Sequence, residues 1–256
     1  MATPIERQPP KSALEPMRKR GIYLLPNLFT TLNLFAGFYA IVQGMNHEFE
    51  KAAVAIFVAM VLDSLDGRVA RLTKTQSAFG AEFDSLADMV SFGAAPALVV
   101  YEWVLRDMGK WGWAAAFLYC ACAALRLARF NTMLDVADKR WFTGIPSPAA
   151  AALVAGCVWI VDDYGIDPEA MRWWALFVTI FAGLTMVSNL KYWSFKTINL
   201  KKSVPFVAIL LSVAVIVLLS LYPPLVLFGA FVAYAISGYV VSAWLLLRRR
   251  RAGGAR

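Results

Sequence analysis

A bilayer core about 30 Å thick is crossed by a helix of about 20 mostly apolar residues, and this chain offers such windows along nearly its whole length. About eight can be read: Leu24 to Gly44, Lys51 to Asp66, Phe79 to Val104, Trp111 to Phe130, Ala149 to Val161, Trp173 to Ser188, Val204 to Leu221 and Leu225 to Leu247. The expected fold is therefore all-α, a polytopic transmembrane helical bundle. The second and fifth windows are short, as expected of helices that continue into a polar cavity or project beyond the bilayer. Of the 256 residues 60% are hydrophobic and 16% charged, well outside the ordinary globular range.

The connections supply an independent check, because positive residues collect on the cytoplasmic side. "MNHEFEK", "EWVLRDMGK", "VDDYGIDPEAM" and "YPP" are neutral, acidic or weakly charged. By contrast, the first twenty residues, "GRVARLTK", "RLARFNTMLDVADKR", "KYWSFKTINLKK" and the terminal "RRRR" are basic. About eight spans with both termini cytoplasmic satisfy every connection. The net charge of +8 is then a topology signal rather than a nucleic-acid footprint. Tyr101, Trp103, Trp111, Trp113, Trp173 and Trp174 are expected as interfacial anchors. Cys120, Cys122 and Cys157 lack metal-finger spacing and read as small hydrophobes.

Three regions follow. Residues 1–20 form a basic cytoplasmic arm without a signal-peptide pattern. In that arm, "EPMRKR" is either disordered or the start of an interfacial helix. Residues 21–248 form the transmembrane domain, and 249–256 a basic tail held by anionic headgroups.

Against this background "MVLDSLDGRVARLTKTQSAFGAEFDSLADMVSFG" is anomalous, because it carries four aspartates between apolar segments. Asp63 and Asp66 share a helix face, as do Asp84 and Asp88. The intervening stretch is long enough to reverse direction, so two antiparallel helices can aim both pairs into one cavity. Four desolvated carboxylates repel one another and call for a cation. Oxygen ligands without nearby His or Cys suit magnesium or manganese, and this many carboxylates suit two ions. Such a pair is matched to a substrate pyrophosphate and phosphoryl-type transfer. Gly67 and Gly80 remove side chains where a nucleotide or a neighbouring helix approaches, and Ala70 keeps the same face shallow. Arg71 has two readings, a phosphate partner or an aspartate partner. A buried salt-bridge cluster of Asp63, Asp66, Arg68 and Arg71 leaves Asp84 and Asp88 unpaired.

The pattern Asp63-x2-Asp66-Gly67-x2-Ala70-Arg71-x8-Gly80-x3-Asp84-x3-Asp88 spans 63–88 and resembles the signature of the CDP-alcohol phosphotransferase family at every defining position. The resemblance implies a transmembrane helical enzyme, a homodimer, that exchanges CMP on a CDP-activated lipid for an alcohol. It implies Asp63, Asp66, Asp84 and Asp88 as metal ligands, with Asp88 also the catalytic base on the incoming hydroxyl. Gly67, Ala70, Arg71 and Gly80 would line the cytidine and pyrophosphate site, and direct displacement is favoured over a covalent phosphatidyl-enzyme.

"PNLFTTLNLFAGFYAI", "SFGAAPA", "RLARFN" and "FTGIPSPAAA" resemble the branch of the family that uses serine, the membrane-bound phosphatidylserine synthases. CDP-diacylglycerol and L-serine are then the expected substrates, with glycerol 3-phosphate or inositol phosphate as competing acceptors. A serine carboxylate calls for a cation and hydrogen-bonding groups, which Arg126, Arg129 and nearby Asn131 supply; positive-inside anchoring competes for the arginines. Pro146 and Pro148 make "GIPSP" a shaped turn, and Ser147 lacks a basic partner that would make it a nucleophile. Pro96 is expected to kink the third span. Gly93, Ala94, Ala95 and Ala97 suit close helix packing, within the chain or at a dimer contact. The expected location is a bacterial inner membrane with the site on its cytoplasmic side. A cation transporter is the competing class, but the outer halves of the other spans offer no matching acidic path.

Overall fold

A computed structural model describes residues 14–73, 77–132, 141–193 and 206–253. The basic connections over 133–140 and 194–205 and the first thirteen residues of the arm lie outside the described residues. Helix α1 (Leu14–Met45) takes up "EPMRKR" without a break, so the expected arm and first span are joined by one helix. A tight turn at Asn46–Glu48 leads into α2 (Phe49–Thr73), which carries the first aspartate pair. The third rod runs continuously from Ala78 to Met108 and includes α3 (Ala78–Asp88) and α4 (Ala95–Val100). Then come α5 (Lys110–Thr132), α6 (Ser147–Asp163), α7 (Pro168–Val187), α8 (Phe206–Leu221) and α9 (Pro223–Gly253).

Every apolar window thus corresponds to a helix, and the chain is an all-α membrane bundle. Among the described residues, five helical segments suffice by length and composition to cross a membrane: Pro26–Met45, Ala78–Met108, Lys110–Thr132, Pro168–Val187 and Pro223–Leu245. The other rods fall short for visible reasons: α2 carries Glu50, Lys51, Asp63, Asp66, Arg68 and Arg71, while α6 and α8 have 17 and 16 residues.

The core is built around α6, in which every residue from Ala149 to Val158 is buried. A helix apolar on all sides belongs in the middle of its bundle. Helix α6 packs against α2, where Ala52, Ala55 and Ala59 are buried, small residues that let backbones approach where lipid supplies no hydrophobic drive. Helix α8 packs on α9 and leaves Leu210, Leu211 and Ile216 exposed, as a lipid-facing surface requires. Trp111, Trp113, Trp173 and Trp174 are exposed near the starts of α5 and α7, suiting interfacial anchoring, whereas Trp103 is buried and is not an anchor. Cys122 and Cys157 are buried and unpaired.

The third rod departs from a simple proline kink. Met89–Ala94 and Tyr101–Leu105 are π-helical, so the distortion begins immediately after Asp88, before Pro96. Pro96 has no N–H for the carbonyl four residues earlier, that of Phe92. The buried Tyr119 hydroxyl donates to that carbonyl at 2.9 Å. The small residues around Pro96 are consumed within the chain: Ala95 and Ala97 are buried, and a Cβ on Gly93 would stand 3.3 Å from Ala123.

A second departure from the all-helical expectation is a two-stranded antiparallel pair, β1 (Trp141–Thr143) with β2 (Lys191–Trp193). It joins the segment before α6 to the segment after α7. Gly144, at φ 78°, makes the bend beyond β1; a side chain there would strike the Met186 carbonyl. Pro146 then caps α6 and Pro148 lies in its first turn.

Gly37 sets how closely α1 approaches the third rod, because a Cβ there would collide with Ser91, including its Cα at 2.6 Å. Replacing Gly37 with Val should cost about 1–3 kcal/mol, the usual cost of overpacking, read as a lower thermal midpoint in detergent. Gly229→Val, where a Cβ meets nothing within 4 Å, should leave that midpoint nearly unchanged. Equal midpoints for the two variants would contradict the close approach.

Candidate active site

The first carboxylate pair lies in the second half of α2 and the second at the end of α3, whose cap is Ser77. Ser77 caps α3 by accepting from the Gly80 N–H at 3.0 Å, which fixes where that helix starts and so where Asp84 and Asp88 project. Carboxylate oxygens of Asp63, Asp66 and Asp84 all lie within 4.8 Å of one another. Contacts run across the two helices: Asp63 lies against Asp88, and Asp66 against Asp84. Asp66 is buried, and the other three are half-buried.

Carboxylates meeting in this way are held together only by shared protons or by a cation. Among the described residues the ion pairs are Lys51–Glu48, Arg106–Glu102 and Arg172–Glu169, none of which involves the cluster. The Asp84 Oδ1 atom is buried without a hydrogen-bond partner. An orphaned oxygen inside an all-oxygen donor set fits a hard divalent ion.

Helix α1 supplies the polar side chains that brace this cluster. Thr30 Oγ1 donates to Asp66 at 3.1 Å, and Asn33 Nδ2 donates to Asp88 Oδ1 at 3.2 Å. Both residues are buried, and their three-residue spacing puts them on one helix face, so one helix braces both aspartate pairs. Sequence reasoning assigned neither residue a role, although "PNLFTTLN" is unusually polar for the start of a span.

The remaining expected site residues are spread around the cluster. Gly67 has open space where a Cβ would stand, as a position left clear for a ligand requires. Gly80 is enclosed instead: a Cβ would lie 3.1 Å from the Ser77 hydroxyl and 3.4 Å from Asn27, so its small size serves the helix cap. Ala70 is half-buried on the same helix as Gly67. Arg71 is exposed and donates from Nε to the Gly67 carbonyl at 2.8 Å.

Arg126 and Arg129, expected to act together, go separate ways. Arg126 donates to Ser147 Oγ at 2.8 Å, its Nε is buried without a partner, and Asp88 and Asp63 are the carboxylates whose charge it feels. Arg129 reaches Asn189 Oδ1 at 2.8 Å and the Val187 carbonyl at 3.5 Å, just ahead of β2. Asn131 donates to Ser85 Oγ at 3.0 Å, which ties the end of α5 to α3. Ser147, buried and facing a cation, is placed as that arginine's partner rather than beside a base.

A helical membrane bundle that gathers carboxylates around a cation-sized space, with a guanidinium at the rim, defines a class of site suited to metal-assisted transfer of a phosphate-bearing group. Comparison with known proteins gives the class its family. Residues 23–185 match the model of the CDP-alcohol phosphatidyltransferase family, and the chain belongs to that family. It is 39% identical over 221 residues to a CDP-diacylglycerol–serine O-phosphatidyltransferase of Helicobacter pylori (strain J99 / ATCC 700824), covering 86% of this chain and 92% of the relative. A protein of the same name from Mycobacterium tuberculosis (strain ATCC 25618 / H37Rv) is 37% identical over 185 residues, covering 69% of this chain and 64% of the relative. One from Saccharomyces cerevisiae (strain ATCC 204508 / S288c) is 38% identical over 151 residues, covering 54% of each.

Asp84→Asn removes one charge from the triad while keeping its shape. Its affinity for Mn2+, titrated calorimetrically on purified protein, should fall by at least roughly tenfold, the scale on which even outer-shell changes act. Unchanged Mn2+ binding would separate the cluster from metal.

Proposed function

We propose that this protein transfers the phosphatidyl group of CDP-diacylglycerol to the hydroxyl of L-serine, giving phosphatidylserine and CMP. The observation that carries the reading is the cross-helix cluster of Asp63, Asp66, Asp84 and Asp88 with Arg126 at its edge. The names of the relatives agree with it.

Asp63, Asp66 and Asp84, with Asp88 beside them, would hold two Mg2+ or Mn2+ ions. Bound there, the metal supplies charge neutralisation to the pyrophosphate oxygens. The chain's own groups do the rest. Gly67, Ala70 and Arg71 border the nucleotide and pyrophosphate, with Gly80 at that border through the α3 start it shapes, and the open face at Gly67 gives the nucleotide room. Asp88 takes the serine hydroxyl proton as the new phosphorus–oxygen bond forms. The bond from that phosphorus to the bridging oxygen breaks, and CMP departs with the electron pair.

Arg126 is the favoured partner for the serine carboxylate, because its Nε is buried and unsatisfied, whereas Arg129 is engaged by Asn189. Asn131 and Arg129 border the same end of the bundle. A largely apolar groove of ≈600 Å³ between α1 and α2, lined by Leu32, Phe35, Tyr39, Val54, Val58 and Leu62 together with Glu50 and Lys51, suits an acyl chain.

Eight spans with both termini cytoplasmic put the cluster on the cytoplasmic side of a bacterial inner membrane, where the basic connections gather. The chain acts as a homodimer, as the family resemblance implies.

The test is product formation by purified protein given CDP-diacylglycerol, a divalent metal and one labelled acceptor at a time. Serine should yield phosphatidylserine; turnover with glycerol 3-phosphate and none with serine would overturn the acceptor. Arg126→Gln should raise the KM for serine by roughly tenfold or more, the value of a lost charge-assisted hydrogen bond, and leave that for CDP-diacylglycerol within about twofold. Equal effects on both would remove Arg126 from the serine site.

A further inference from the structure

We infer that Asn33 is a positioning residue that sets the orientation of the Asp88 carboxylate for proton transfer; this rests on the reading of Asp88 as the base. Asn33 is fully buried, and its side chain and main chain are engaged by the same rod. Its Nδ2 donates to Asp88 Oδ1 at 3.2 Å, while its carbonyl accepts from the buried Ser91 hydroxyl at 2.9 Å. Positions 88 and 91 flank the start of the π-helical stretch Met89–Ala94, so one residue of α1 grips the rod on both sides of the point where its helical geometry changes.

The grip depends on close approach. Gly37, one turn after Asn33, lies where any Cβ would collide with Ser91, which keeps α1 near enough for the amide to reach the carboxylate. A carboxylate at the end of a regular helix, beside a π-helical turn, has two torsions free to turn it. The amide removes that freedom by occupying Oδ1, so Oδ2 is the oxygen presented to the acceptor hydroxyl. Asp63, Asp84, Asp66 and Arg126 are the charged side chains around Asp88; Asp63 meets it as a second carboxylate, so the Asn33 amide is the uncharged N–H donor that reaches it. Asn33 is enclosed by the protein and acts through Asp88.

The experiment measures steady-state CMP release by the full chain, with serine and CDP-diacylglycerol varied separately, for wild type, Asn33→Leu, Asp88→Glu and the double variant. Asn33→Leu should lower kcat at least tenfold while both KM values stay within twofold. In the Asp88→Glu background, where the longer side chain no longer meets the amide in the same place, Asn33→Leu should cost less than threefold further. A purely structural role would produce the same factor in both backgrounds, and that result, or a kcat within twofold of wild type, overturns the inference. If Asn33→Leu does not fold, Asn33→Ser, which keeps a shorter hydroxyl donor, is measured against Asn33→Ala; equal kcat values for those two overturn it as well. An Asp88→Asn variant that keeps wild-type turnover would instead refute Asp88 as base, whatever Asn33 does.

Discussion

Four carboxylates drawn together beside hydrocarbon are the constraint on which the rest of this structure depends. Alone they repel, and burial raises the cost of each charge. The fold nonetheless brings oxygens of Asp63, Asp66 and Asp84 within 4.8 Å and sets Asp88 against Asp63. Such an arrangement persists when the helices are clamped from outside the cluster and a cation balances it within. The clamps are identifiable: the Ser77 cap that starts α3, Thr30 and Asn33 on α1, and the central helix α6 packed against α2.

One departure from regular helix begins directly at this site. The π-helical stretch after Asp88 and the missing N–H at Pro96 free backbone groups that a membrane interior does not leave unsatisfied. Tyr119 satisfies the Phe92 carbonyl, and Ser91 adds a side-chain tie to α1. Beyond the ends of α5 and α7, the β1·β2 pair fixes the segments that hold the two arginines. Ser147 engages Arg126 shortly after β1, and Asn189 engages Arg129 shortly before β2. Lys191 is tied in turn to α9 through the Ser242 hydroxyl at 2.9 Å.

Much of this was legible in the sequence, for physical reasons. Bilayer thickness fixes the length of apolar runs, so the helices could be placed. Charge is expensive in that setting, so Asp63, Asp66, Asp84 and Asp88 stood out against it. The contributions of Thr30 and Asn33 were not legible, because a buried hydroxyl or amide is cheap enough in a span to pass unnoticed; only its distance from an aspartate in another helix gives it meaning. The same holds for the diverging arginines. Spacing showed that Arg126 and Arg129 can share a face, but their partners Ser147 and Asn189 come from distant segments. Gly80 carried a motif signal whose local cause, room for the Ser77 cap, appears only in three dimensions. The β1·β2 pair has three residues per strand, too few to register as an alternating pattern.

The most direct measurement is the metal dependence of CMP release by the purified protein. The protein is stripped with chelator, supplied with CDP-diacylglycerol and serine, and titrated with Mn2+. The account predicts no release from the stripped protein and a saturable return as metal is added. Full serine-dependent release without any divalent ion would contradict it, because the carboxylate cluster would then be serving some other purpose.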